Sequence, residues 1–554
     1  MAEYAPRVAG AHARPRVATA ELSRWAWWVP VTIILVAQAL LTARLIPMST
    51  ASGDEGRYIY AGHQLIHELW HGGGSPYYET SFSGAPVIYP VLAALADHFG
   101  GLVGVRLMSM SFMLTATGLL FGSGRRLFGY WAGVGAAGLF AGLGLSQDLG
   151  ALGTHDAMAL MLTSVAAYCA VRTSEQEPRA SRWLVLVPLV LLAANATKYA
   201  TLIFDPIVIA LASLQVGEQG WRRVTHRAVA LATTTGALLA LAVFLAGRAY
   251  LNGILFSTLE RQSGSSAIFA AVRVPPATIV ADSWHWMGLV LVLGAVALLV
   301  ALTMRDERRR YGLLLALLLT AGLVVTAESL RLHTVESMRK HDDIGIWFTC
   351  MAAGYLLARP QVLARGRAVR AALAAAVPLG VVLSGAHYSP SARSTYEAAT
   401  SLARRTAFAD LKPYLELPTG RFLIGGLDDE QMIYSDRVSV PWYRLDDDTY
   451  IKYPVPGRGG DSHGQAQGLA CTRLRPGCMY LEDAAGFRAA IRAHYFALIS
   501  MVGAHTTELD AQIQAAVQQH NSGYVLLTRA GGAPTWIYPP AYAASGAARL
   551  AGQR

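Results

Sequence analysis

The chain is poor in charge. Of its 554 residues only 15% are Asp, Glu, Lys or Arg and 53% are hydrophobic, whereas soluble domains average roughly 25% charged residues. Disorder and coiled coil need charge-rich sequence and are excluded. Acidic residues are the scarcer sign, 36 against 46 basic ones, for a net charge of +10. Much of that Arg sits in short loops between apolar runs, where it orients a membrane protein, so no nucleic-acid partner is implied. No cleavable signal opens the chain: residues 1–24 are Ala-, Arg- and Pro-rich, and the first apolar run begins only near Trp25. This segment reads as a disordered cytoplasmic tail before an uncleaved span. Internal repeats are absent as well, which argues against many transporter folds. Cysteine is rare, with four in all. Cys169 and Cys350 lie inside apolar runs and read as small hydrophobes.

What the sequence does have is length in its apolar runs, which match a bilayer core of about 30 Å. Eleven runs stand out, near 25–46, 101–121, 128–146, 155–171, 183–197, 200–216, 228–247, 279–303, 311–327, 342–358 and 368–386. One set of alternate loops, with the N-terminal tail, holds twenty Lys and Arg, and the opposite loops hold eight. Excess Lys and Arg marks the cytoplasmic side. The expected fold is therefore a polytopic α-helical membrane protein of about eleven transmembrane helices, N-terminus inside and C-terminus outside, in the plasma membrane. The membrane module spans 25–386, with a first exported loop over 47–100. Residues 387–554 form an exported C-terminal domain, in which 421–425, 495–501 and 524–528 read as buried strands and 506–519 as a helix, hence an α/β fold.

Ionisable residues at the outer membrane surface carry the chemistry, because charge near lipid is costly without a use. The first exported loop opens with Ser52-Gly53-Asp54-Glu55-Gly56-Arg57-Tyr58 and continues to Gly84-Ala85-Pro86-Val87-Ile88-Tyr89-Pro90. The next exported turns carry Thr154-His155-Asp156 and Asn195-Ala196-Thr197-Lys198, and the loop before the tenth run carries Arg339-Lys340-His341-Asp342-Asp343. Topology puts all of these on one face. Carboxylates facing Lys and Arg suit a reaction that deprotonates a hydroxyl while neutralising a phosphate. On the plainer reading, Asp54 and Glu55 are helix-start residues favoured by the dipole, and Lys198 snorkels at the interface. Arg106, inside the second run, is costly unless paired and is expected to partner a site carboxylate. His63, His67 and His71 recur at metal-compatible spacing on one helix face, though an interfacial helix is the commoner source of that pattern.

Taken together, Asp54-Glu55, the Gly84…Tyr89-Pro90 element, His155-Asp156 and Lys198 resemble the GT-C membrane glycosyltransferases of the family 39 type, which includes protein O-mannosyltransferases and the lipid A aminoarabinose transferase. The likeness covers about residues 45–345. It implies an inverting transfer of one sugar from a polyprenyl-phosphate donor to a glycan, lipid or protein hydroxyl. Asp54 would be the general base, supported by Glu55, and Asp156 is similar to the family's second acidic position. Tyr89 and His155 would line the substrate site. Lys198, with one or more of Arg339, Lys340 and His341, would contact the donor phosphate. No metal ligand is assigned, and the resemblance leaves a divalent cation open. The chain departs from the protein mannosyltransferases in lacking a large repeated luminal-loop domain. The Trp-Trp-Asp signature of oligosaccharyltransferases is absent, since Trp27-Trp28 is followed by Val29. A transporter or lipid flippase is the competing class.

With an odd number of spans, Cys471 and Cys478 face an oxidising compartment. Pro476-Gly477 between them is a turn signal that brings the ends together. A Cys471–Cys478 disulfide is predicted to stabilise the exported domain by about 2–3 kcal/mol. Mass mapping of the non-reduced protein checks it: both thiols alkylated without reductant would remove the bridge.

Overall fold

The computed structural model describes residues 28–47, 51–71, 82–174, 180–255 and 274–363 apart from 336. In the C-terminal part it describes 411–417, 420–425, 444–447, 484–501, 507–530 and 533–543, with single positions between 380 and 394. The first two-thirds of the chain is helical throughout. The helices are α1 (Val29–Ala43), α2 (Gly53–His71), α3 (Tyr89–Phe128), α4 (Tyr130–Gly142), α5 (Gly144–Ala151) and α6 (His155–Val171). They continue with α7 (Ala180–Thr197), a 3-10 turn (Tyr199–Phe204), α8 (Asp205–Leu214), α9 (Trp221–Leu255), α10 (Pro276–Thr303), α11 (Arg305–Leu332) and α12 (Met338–Leu363). By length and composition, α3, α7, α9, α10 and α11 can each cross a membrane, and α1, α6 and Tyr199–Leu214 are shorter apolar segments. The chain is accordingly an integral membrane protein.

Each of the first ten apolar runs coincides with a described helical segment, and the eleventh lies outside the described residues save position 380. The third run needs correction. It was expected as one span over 128–146, but the helix breaks at Leu143, which is extended at φ −73° and ψ 143°. α4 thus ends at Gly142, and α5 starts anew at Gly144. α3 bends at Gly101, whose φ of 61° is a conformation side chains resist. That bend separates the short apolar helix after Pro90 from the second span.

Lipid offers little drive for apolar helices to associate, so close backbone packing and interhelical hydrogen bonds must do it. α4 is built for this, with nearly every residue from Ala132 to Gly142 buried. A Cβ on its Gly133 would come within 2.5 Å of the Phe121 carbonyl of α3, and one on Gly354 of α12 would collide with the Ala132 carbonyl of α4. α12 is the central helix: its buried Trp347 donates Nε1–H to the Ala116 carbonyl of α3 at 2.9 Å, and Thr349 donates to the Leu318 carbonyl of α11 at 3.0 Å. At the periphery Phe244, Leu245 and Leu299 are exposed, as a lipid-facing surface requires.

The C-terminal part contains a five-stranded mixed sheet, with β1 (Arg421–Gly425), β2 (Leu445–Asp447), β3 (Phe496–Met501), β4 (Val525–Ala530) and β5 (Ala533–Ile537). Strand order is β2-β1-β3-β5-β4, the first three parallel and β5 antiparallel to β3 and β4. Helices α13 (Ala484–Arg492) and α14 (Thr507–Val517) flank β3 in sequence, and Phe487, Ile491, Ile513 and Val517 bury against Leu423 and Ile499. The strands and helix expected from sequence are present. β2 and β5 were not foreseen, being short and carrying Asp or Pro.

α2 lies against α3 at a point where only glycine fits. A Cβ on Gly62 would fall on the Pro90 carbonyl. Gly62→Ala is predicted to destabilise the fold by about 1–3 kcal/mol, read as a lowered melting temperature of the detergent-solubilised full chain. An unchanged melting temperature would show that the two helices are not held at this point.

Candidate active site

The start of α2 is a capping box. Ser52 donates its backbone N–H to Glu55 Oε2 at 2.8 Å, and Glu55 donates its own to Ser52 Oγ at 3.3 Å. Glu55 then does more than cap. It is fully buried, and Arg106 of α3 grips it bidentately, Nε to Oε1 and Nη2 to Oε2, both at 2.8 Å. The Gly153 N–H donates to Oε1 at 2.6 Å, and Arg106 uses Nη1 on the Ile46 carbonyl at 2.7 Å. Burial raises the Glu55 carboxyl, but Arg106 and the Gly153 and Ser52 N–H groups outweigh it and hold the group below its ordinary value. The costly Arg inside an apolar helix is therefore paired, and with a site carboxylate as expected. Four segments (the link between α1 and α2, α2, α3 and the loop before α6) meet on one ion pair.

Asp54, next to this anchor, belongs to a second cluster. Lys340 in the first turn of α12 donates to Asp54 Oδ2 at 2.5 Å and lies 3.8 Å from Asp156 Oδ2 at the start of α6. Lys198, extended between α7 and the 3-10 turn, donates to Asp156 Oδ1. The charges thus alternate, Asp54–Lys340–Asp156–Lys198. Asp156 and Lys198 are buried, at 2% and 3% exposure, while the Asp54 side chain is 46% exposed and forms the open end. The Lys340 ammonium beside Asp54 holds its carboxyl well below the usual range; burial opposes this, and Arg57 adds to it.

A backbone strap places Lys198. Ala85 donates to the Ala196 carbonyl at 2.7 Å and Tyr199 to the Ser83 carbonyl at 2.8 Å. Gly84 lies so close to the Thr197 carbonyl that no Cβ fits. The Gly84…Tyr89-Pro90 element is thereby fastened onto the Lys198 turn. His155 Nε2 is 3.3 Å from the Tyr58 hydroxyl, 3.4 Å from Ser83 Oγ and 4.0 Å from Asp156 Oδ1. The Tyr58 ring stacks on Phe82 at 5.0 Å and meets the edge of Tyr89 at 5.2 Å. Tyr89 itself is buried with its hydroxyl 3.4 Å from Ser109 Oγ, so it shapes the wall beneath His155. His341 Nε2 is buried without a partner among the described residues.

One expected member stands apart. Arg339 reaches Asp282 of α10 at 3.4 Å and lies over the Trp286 ring at 5.6 Å, because residues 339 and 340 project from different sides of α12. Of Arg339, Lys340 and His341, one or more of which was expected beside Lys198, Lys340 lies in the cluster, whereas Arg339 contacts Asp282 and Trp286 of α10. Asp342 and Asp343 are buried, with oxygens that have no partner among the described residues. His63 pairs with Asp97 at 2.9 Å and His67 stacks on His71 at 4.3 Å, and no metal-compatible group of three His, Cys, Asp or Glu occurs among the described residues. Cys471 and Cys478 lie outside the described residues. Sequence reasoning passed over Arg57 and Tyr58 as site members. They follow Asp54 by three and four residues, the spacing that shares one helix face, so the signal was present once 53–71 was read as a helix.

The Glu55–Arg106 pair makes a stability prediction. Arg106→Met leaves a buried carboxylate unpaired and is expected to cost about 3–5 kcal/mol. The double variant Arg106→Met/Glu55→Gln is expected to recover a large part of that loss, read by melting temperature. A double variant as unstable as the sum of both single changes would show that the pair is not the anchor.

Residues 85–246 match the family described as dolichyl-phosphate-mannose-protein mannosyltransferase. That stretch holds His155, Asp156 and Lys198 but neither Asp54 nor Lys340. No protein with a curated description matches the chain in sequence. Among solved structures, ArnT from Cupriavidus metallidurans bound to undecaprenyl phosphate is similar over 93% of this chain and 98% of its own, with a TM-score of 0.56 at 15% identity. The archaeal oligosaccharyltransferase AglB from Archaeoglobus fulgidus, in complex with an inhibitory peptide and a dolichol-phosphate, is similar over 92% of this chain and 74% of its own, with a TM-score of 0.50 at 11% identity. These identities speak for the fold alone. In that fold, and in the sequence of residues 85–246, the chain resembles the GT-C membrane glycosyltransferases.

Proposed function

We propose that the protein transfers one hexosyl or pentosyl unit, with inversion, from a polyprenyl-phosphate-linked donor to a hydroxyl acceptor at the exported face of the membrane. The observation that carries this reading is the Asp54–Lys340–Asp156–Lys198 cluster, assembled at helix ends with its one exposed carboxylate at the open side. In the proposed step the acceptor hydroxyl gives its proton to Asp54, and its oxygen bonds to the anomeric carbon. The bond from that carbon to the phosphate oxygen breaks, and the polyprenyl phosphate leaves with the electron pair. Lys198 and Lys340 neutralise the charge that develops there. The carriers bound in the ArnT and AglB structures, undecaprenyl phosphate and a dolichol-phosphate, are of the same chemical class. A transporter would gather its polar groups near the midplane, whereas this cluster sits at the starts of α2, α6 and α12 and the end of α7. The proposed topology keeps about eleven spans, the N-terminus inside and the C-terminal domain outside. No step is routed through a divalent cation, and transfer that persists in EDTA would agree with that.

The ion pair at Asp54 also proposes an order of events. While Lys340 holds Asp54, the carboxylate is a weak base. A donor phosphate competes for Lys340 and Lys198, and as Lys340 turns to it Asp54 gains basicity. Donor binding thus arms the base.

Two measurements test this. Asp54→Asn is predicted to lower sugar transfer in reconstituted vesicles by about 10²–10⁴-fold without loss of folding, and near-normal activity of the purified variant would refute the role. Lys340→Ala removes the charge that depresses Asp54, so the acidic limb of the kcat/KM profile is expected to move to higher pH. A limb that stays in place would separate Lys340 from the base.

A further inference from the structure

A second site lies at the other end of the bundle. α7 runs from Ala180 toward Lys198, and at 1.5 Å per residue its first turns are about 20 Å from the reactive cluster. There, α7 and α9 diverge around a cavity of about 650 Å³, within the range of about 300–1,000 Å³ that ligand sites occupy. Its walls are apolar, with Pro188 and Leu189 from α7 facing Leu231 and Leu238 from α9. Arg223, His226 and Arg227, from the first two turns of α9, line the same cavity.

Two features set what this groove takes. From Trp221 to Gly247 every ionisable residue of α9 is basic, so the polar end of the groove presents cations. Arg227 is fixed there: its Nη1 donates to the Thr173 carbonyl at 3.0 Å and to the Ala212 carbonyl at 3.4 Å, where α6 and α8 end. The groove also lies beside helix faces that must meet lipid, since Val185, Val229 and Leu241 are largely exposed and Trp221, an interfacial residue type, is 67% exposed. An apolar slot open toward the bilayer and cationic at the interface is complementary to an anionic amphiphile, acyl chain inward and phosphate outward. We infer that the groove between α7 and α9 is a binding site for an anionic phospholipid of the leaflet opposite the catalytic cluster, with the headgroup at Arg223, His226 and Arg227 and an acyl chain along Pro188, Leu189, Leu231 and Leu238. This site stands independently of the proposed sugar transfer.

Native mass spectrometry of the full-length protein in detergent tests it, with phosphatidylglycerol and phosphatidylcholine as probes. Wild type is expected to retain phosphatidylglycerol in preference to phosphatidylcholine. Each basic side chain near a phosphate contributes about 1 kcal/mol, so removing two of them in Arg223→Gln/His226→Gln is expected to weaken phosphatidylglycerol binding about 30-fold. Ala230→Trp fills the groove from a solvent- or lipid-exposed position without touching a charge and is expected to weaken it comparably; melting temperatures confirm that both variants fold. Equal retention of the two lipids, or full phosphatidylglycerol binding in either variant, overturns the assignment. So does displacement of the lipid by millimolar inorganic phosphate, which would reveal an anion site without an acyl chain.

Discussion

Glu55 is a carboxylate with no access to solvent, and such a charge is tolerated only where donors replace its water. Here the replacement is complete: two guanidinium N–H groups of Arg106 and the N–H groups of Ser52 and Gly153 converge on its two oxygens. Moving any of the four segments would strand a charge, so the pair fixes the entry of α2 relative to α3 and to the loop before α6. Asp54 is the next residue along the chain, and its position follows from this anchor. Of the adjacent carboxylates, the buried one thereby holds the backbone and the exposed one faces Lys340.

The charges beyond Asp54 hold one another by alternation. Lys340 lies between Asp54 and Asp156, and Lys198 approaches Asp156 from the other side. In a site this shielded, each member lowers the cost of its neighbours, and removing one unbalances the rest. An incoming phosphate would be attracted to the two ammoniums and repelled by the carboxylates, so its arrival must rearrange the set. The C-terminal sheet touches the same helix: the Tyr60 hydroxyl of α2 donates to the Leu445 carbonyl of β2 at 3.2 Å, one and a half turns from Asp54.

Small residues make the scaffold rigid enough to hold these groups. Gly133, Gly354 and Gly84 each stand where a backbone carbonyl leaves no space for a Cβ, so α4, α12 and the strap at Gly84 approach their neighbours at backbone distance. The breaks at Gly101 and Leu143 have a related effect, redirecting the chain within the helical bundle.

Much of this was legible in the chain itself. Apolar length located ten helical segments, and the alternation of strand and helix signals past residue 420 anticipated the α/β sheet. Asp54, His155, Asp156, Lys198 and Lys340 stood out because charge at a membrane surface needs a use, and the structure brings all five together. Two things were settled only in three dimensions. Neighbouring residues on a helix point different ways, so Lys340 joins Asp54 while Arg339 joins Asp282, a distinction no composition or spacing in the loop expressed. Likewise Asp54 and Glu55 are indistinguishable as a dipeptide. Sequence determines that a bilayer-spanning chain carries charges at one face, because hydrophobic length and charge placement are local properties. Which charge meets which is decided by tertiary packing, because partners such as Arg106 and Gly153 come from segments far apart in the chain and acquire meaning only when the helices close around them.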